Sequence, residues 1–94
     1  MVYVLIKHRV EDFSKWKQGF DENGSTRKAN GSKGGMVFRT SEDPNSLAIL
    51  FEWDSIENAR KFTESAELKK KMGEVGVISK PEIIFLDKIE DISV

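Results

Sequence analysis

The chain contains no cysteine, a single histidine, a single tyrosine and two prolines among its 94 residues. Without a thiol there can be no disulfide, no thiolate nucleophile and no cysteine-ligated metal or iron–sulfur cluster. One histidine and no HExxH spacing leave only carboxylates as metal ligands. Their runs here (Glu11-Asp12, Asp21-Glu22, Glu42-Asp43) have the composition of solvated surface, so neither a metal nor a cofactor is expected. Surplus charge of either sign is also missing: 15 basic against 16 acidic residues give a formal charge of -1. Nothing overall draws the protein to nucleic acid or to an anionic membrane. No apolar run approaches the roughly 18 residues of a bilayer span, and Val2–Arg9 is too short for the core of a secretion signal. A cytoplasmic protein is the expectation. The near-zero charge, with 38% hydrophobic residues, is not the composition of a disordered chain. The length suits one domain over residues 1–94, small enough that association with a second copy would add needed buried surface.

The pattern along the chain resolves into two strand-helix-strand halves. Val2–Arg9 (β1) alternates, with Val2, Val4, Ile6 and His8 on one face and Tyr3, Leu5, Lys7 and Arg9 on the other. From an Asp12 cap, Phe13, Trp16, Phe20 and Arg27 recur at helical spacing, with an imperfection expected at Gly24 and a stop at Asn30-Gly31. Ser32-Lys33-Gly34-Gly35 reads as a turn into a short strand over Met36–Thr40 (β2), because it lacks the GxxxxGKS/T order of a phosphate loop and opens no helix. A turn at Pro44-Asn45 leads to Leu47–Trp53 (β3), apolar on both faces. Asp54 and Glu57 predict a capping box for a second helical stretch. Its inner face carries Ile56, Ala59 and Phe62, and a continuation capped by Ser65 runs through Leu68 and Met72 to a stop at Gly73 or Gly76. Glu82–Ile89 (β4) alternates again after Pro81.

The order β-α-β-β-α-β predicts an α+β fold: a ferredoxin-like sandwich whose four-stranded antiparallel sheet carries both helical stretches on one face. Right-handed crossovers place β1 and β3 side by side at its centre, read as parallel neighbours, with β4 and β2 outside. Parallel neighbours would bring His8 and Trp53 together at one edge of the sheet, on the helix-covered side with Ile6 and Phe51, under a ceiling of Phe20 and Phe62. His8 either ends its strand with a hydrogen bond or touches a ligand as the one side chain suited to proton transfer at neutral pH. Trp53 is either core or a flat platform for an aromatic ligand. The uncovered face would expose Tyr3, Leu5, Ala48 and Leu50, an apolar patch suited to a second copy of the chain, with Lys7, Arg9 and Glu52 at its margin.

The passages VLIKHRVEDFSKWKQGFDE, GSKGGMVFRT and ILFEWDSIENARKF together resemble the antibiotic-biosynthesis-monooxygenase-like branch of the dimeric α/β-barrel superfamily, over nearly the whole chain. The resemblance implies a dimer with sheets packed face to face and a small-molecule pocket in each protomer. Similar proteins include cofactor-independent oxygenases of phenolic, quinol or anthrone-like substrates, haem-degrading enzymes, and proteins with no assigned activity. Where the haem-degrading relatives have an asparagine at the end of β1 and a tryptophan at the end of β3, this chain has His8 and Trp53. Where they have a histidine on the second helix, it has Arg60, Lys61 and Phe62, so haem ligation is not expected.

Two functions therefore stand side by side. One is a homodimeric, cofactor-free monooxygenase in which His8 accepts the proton and Trp53, Phe51, Ile6, Phe20 and Phe62 hold a small aromatic or apolar substrate. The other is a non-catalytic dimeric ligand-binding or stress-related module using the same pocket. RNA binding on the open sheet face is disfavoured, since neither central strand carries the RNP1 pattern of K/R-G-F/Y.

Overall fold

The computed structural model describes residues 2–94. Its elements are β1 (Val2–Arg9), α1 (Phe13–Glu22), α2 (Gly24–Asn30), β2 (Ser32–Arg39), β3 (Ser46–Trp53), α3 (Ile56–Glu64), α4 (Ala66–Glu74) and β4 (Glu82–Asp87). The four strands form one sheet in the order β2-β3-β1-β4, antiparallel at every pairing. This is the expected α+β, ferredoxin-like arrangement, with one correction to its interior. β1 and β3 are adjacent as expected but run in opposite directions. Each crossover passes over one strand: β1 is parallel to β2 with β3 between them, and the β2–β3 hairpin reverses the chain before β3 takes its place beside β1.

Each helical stretch divides at a local signal. The Asp12 carboxylate accepts a hydrogen bond from the Ser14 N–H (3.0 Å) and starts α1. The chain passes through Asn23 into α2, which ends where Gly31 takes φ 116°, a left-handed conformation that costs glycine little. At α3 the cap is Ser55, accepting from Asn58 N–H at 3.1 Å. Asp54, expected in that role, instead accepts from the Asn58 side chain (3.0 Å). Ser65 caps α4 as expected, accepting from Leu68 N–H.

β3 starts one residue earlier than expected, at Ser46, and two strands differ from expectation by more than that. β2 starts at Ser32, because Gly34, at φ 106°, absorbs a bulge between Ser32 and the regular ladder, and Gly35 lies against the Leu50 carbonyl where no side chain fits. β4 stops at Asp87, which already pairs with Val2.

The alternation of the strands divides the molecule. Val4, Ile6, Leu47, Ile49, Phe51 and Trp53 are buried beneath the helices with Trp16, Ala59 and Phe62. On the other face the register aligns Met36, Leu50, Leu5 and Ile84 in one row across the sheet. Met36 and Phe38 there are half exposed, while Lys7 and Glu82 form an exposed ion pair at 3.8 Å. Among the described residues no helix is long and apolar enough to cross a membrane.

Candidate functional site

His8 is the last inward-facing residue of β1. The alternation that buries Val4 and Ile6 carries it under the helices, where it is 7% exposed. Burial lowers its pKa below the ordinary 6.5. The smaller influence of its own main chain pushes the other way. The imidazole is therefore neutral at neutral pH, and its Nδ1 is buried with no hydrogen-bond partner. An unpartnered buried nitrogen is costly to keep and so a candidate for function.

From His8 a chain of aromatic rings crosses the sheet. His8 meets Trp16 edge-on (centroids 5.9 Å apart), Trp16 stacks on Phe20 (4.7 Å), and Phe20 lies 6.0 Å from Phe51. Phe51 packs edge-on against Phe62 (6.1 Å), and Phe62 against Trp53 (4.9 Å). His8 and Trp53 thus occupy opposite ends of the series. Because His8 pairs with Leu47 and Trp53 with Val2, six residues separate the two positions along the strands, roughly 20 Å at a rise of about 3.3 Å per residue. The expectation that they converge followed from the parallel orientation and is corrected with it.

A cavity of about 50 Å³ lies at the His8 end, between the sheet and all four helices. Of the six residues singled out from sequence, His8, Ile6, Phe20, Phe51 and Phe62 share its wall. Trp53 does not line it; fully buried, it packs on Phe62, and its indole N–H has no partner. Gly19 lets the helix backbone come close: a side chain there would run into Val75, which lines the same cavity. The carbon-rich wall and the neutral imidazole suit a flat apolar molecule that presents an acidic proton.

Sequence reasoning missed the cations of this wall, Arg27 and Lys71, and the α4 side chains Leu68 and Met72. Arg27 carried a signal: it falls on the apolar stripe of Phe13, Trp16 and Phe20, where a cation has no structural reason to be. Its guanidinium carbon lies 3.8 Å from the centre of the Phe20 ring and 5.8 Å from that of Phe51, and Nη1 donates to the Phe20 carbonyl (2.8 Å). Burial lowers its pKa, with the charge of Asp21 opposing that shift, but an arginine remains protonated in such a setting. Lys71 sits in the basic run Lys69-Lys70-Lys71, a composition that suits solvent at a helix end, yet it is half buried.

No protein-family model matches the chain. No curated protein matches it in sequence. Solved structures do match its fold. A candidate antibiotic biosynthesis monooxygenase from Bordetella bronchiseptica superimposes with a TM-score of 0.77 at 17% identity, covering 95% of this chain and 97% of that one. A protein of the same description from Caulobacter crescentus gives 0.73 at 17% identity, covering 95% and 90%. SnoaB from Streptomyces nogalater, described as a cofactor-independent oxygenase, gives 0.76 at 12% identity, covering 96% and 94%. The chain shares the ferredoxin-like fold of these structures, as its sequence pattern led us to expect.

Proposed function

We propose that the chain acts as a homodimer that binds a small, flat, partly apolar molecule and oxygenates it without a cofactor, the substrate being phenolic, quinol or anthrone-like. The observation that carries this reading is His8: a neutral buried imidazole with an unpartnered nitrogen, at the wall of a cavity lined mostly by aromatic and aliphatic side chains, with Asn23, Arg27 and Lys71 as its other polar members. SnoaB, of the same fold, is described as a cofactor-independent oxygenase, which supports the reaction class.

Taking an anthrone as the example, His8 accepts a proton from the activated CH₂, leaving an electron-rich anion delocalised over the rings. That anion passes one electron to dioxygen, and the resulting radical pair joins to form a C–O bond. The peroxide takes up the proton held by His8. Loss of water then leaves a carbonyl, so that CH₂ and O₂ become C=O and H₂O. The substrate supplies every electron, and the ring wall of Phe20, Phe51 and Phe62 would hold it while Ile6 closes the floor.

The dimer part of the proposal rests on the open sheet face. A row of Met36, Leu50, Leu5 and Ile84 is the kind of contiguous apolar surface that monomers seldom leave in water. Sedimentation velocity at micromolar concentration is expected to give twice the mass of one chain, and Leu50→Glu to give the single chain.

Oxygen uptake with an anthrone or a quinol, followed by electrode and by product mass, tests the reaction. His8→Ala is expected to slow it ~100-fold, the scale of a lost general base; an unchanged rate would take His8 out of the mechanism. A second reading, a dimeric module that binds a metabolite without converting it, is favoured by the narrowness of the cavity at about 50 Å³, room for only a few water molecules. Thermal stabilisation by such a molecule with no oxygen uptake would select that reading.

A further inference from the structure

The cavity beside His8 is not the only hollow under the helices. A second, of about 180 Å³, lies towards the edge strand β2 and is bordered by Ser32, Gly34, Gly35 and Val37. Four residues line both: Phe20, Arg27, Ile49 and Phe51. Ile49 and Phe51 belong to the shared floor of the sheet. Phe20 and Arg27, from α1 and α2, stack on each other at 3.8 Å and form the partition above it. The two glycines of β2 add no side chain to its border, and Gly35 pairs opposite Phe51 of the floor.

Arg27 is an unusual partition. It is half buried, yet among the described residues no carboxylate lies within ion-pair distance of it, since the nearby Asp21 is engaged by Lys17. Its one protein acceptor is a main-chain carbonyl. The walls of both hollows contain no Asp or Glu, and the inner wall adds a second cation, Lys71. Partly desolvating a guanidinium without an anion is unfavourable, and its planar fork of donors is suited to a carboxylate. A ring system bearing a carboxylate would draw Arg27 from the face of Phe20 and join the two hollows beneath it.

We propose that the two hollows are halves of one ligand slot, and that Arg27 is its specificity-determining residue, selecting flat aromatic molecules that carry a carboxylate. This deepens the function proposed above and rests on its choice of pocket. It does not depend on oxygen chemistry.

The test is anaerobic calorimetry with anthracene-2-carboxylate and with its neutral amide. Wild-type protein is expected to bind the carboxylate at least tenfold more tightly, about 1.4 kcal/mol. Arg27→Gln should abolish that preference, weakening the carboxylate by at least tenfold, and Arg27→Lys should restore part of it. Val37→Trp, which fills the outer hollow, should weaken both ligands alike by tenfold or more. Equal binding of acid and amide by the wild type, binding of neither, or an undiminished preference in Arg27→Gln with a native circular dichroism spectrum would overturn the proposal. Undiminished affinity in Val37→Trp would overturn the joined slot. A carboxylate preference that survives with no oxygen uptake by any substrate would defeat the oxygenase reading alone.

Discussion

The two ends of the helix-covered face make an instructive pair. Each has a large ring at the terminus of a central strand, buried by the same alternation and left with an unpartnered nitrogen: His8 Nδ1 at one end, Trp53 Nε1 at the other. Around Trp53 the protein packs tightly, with the indole fully buried and Phe62 against it. Around His8 it leaves a hollow and sets two cations at its wall. Burial of a ring with an unpartnered nitrogen is common to both ends. Only where a cavity adjoins the ring can a ligand approach it, and so the same chemical signature reads as packing at one end and as a site at the other.

Substitutions separate the ends, and the largest effect is expected at the closed one. Trp53→Ala should cost about 3–5 kcal/mol of stability in chemical denaturation, the range for deleting a buried tryptophan side chain, while oxygen uptake per folded molecule stays within about threefold. A comparable loss of rate in the folded protein would mean that Trp53 serves the site after all. His8→Ala should reverse the pattern: a ~100-fold slower rate, equivalent to about 2.7 kcal/mol in the barrier, with a smaller loss of stability than Trp53→Ala.

A weaker contrast comes from pH. Because burial lowers the folded-state pKa of His8 below 6.5, the unfolded chain takes up the proton first as the medium is acidified. The contribution of His8 to stability is therefore complete above about pH 6.5, declines as pH falls below that value, and levels off beneath the folded-state pKa. The acidic limb of kcat/KM should likewise fall below pH 6.5. Denaturation series from pH 7.5 to 5 on wild type and His8→Gln check this: the variant should lose that component of the slope, whereas Trp53→Phe should keep it. The smallest effect belongs to the opposite face. Lys7→Ala, which removes the exposed ion pair to Glu82, should change stability by under ~1 kcal/mol, measured in protein whose self-association is unaltered.

The contrast between the ends also shows what a sequence of this kind reveals. Alternation assigned His8 and Trp53 to the correct face, because a period of two is a local property of each strand. It carried no information on direction, which depends on how many strands each crossover spans, and so the two rings were expected at one edge. The caps at Asp12 and Ser65 and the stop at Gly31 were legible because each is made within one turn of chain. The start of β2 was not, since Gly34 and Gly35 have turn composition, and only the neighbouring β3 draws them into a ladder. Five residues of the cavity wall were visible as inward apolar or aromatic positions. Lys71 was hidden within a basic run, and Arg27 stood out only as a cation on an apolar stripe.

Gly19 has a consequence of its own. The backbone of α1 touches Val75 there with no allowance for even a methyl group, and both residues border the hollow beside His8. Position 19 therefore acts as a caliper: a bulkier residue must displace the Val75 side chain or spread α1 from the segment after α4, altering the chamber at the expense of the packing that closes it. A protein engineer seeking to admit wider molecules would begin at this hydrogen atom, and would need to restore the lost cohesion at a distance from it.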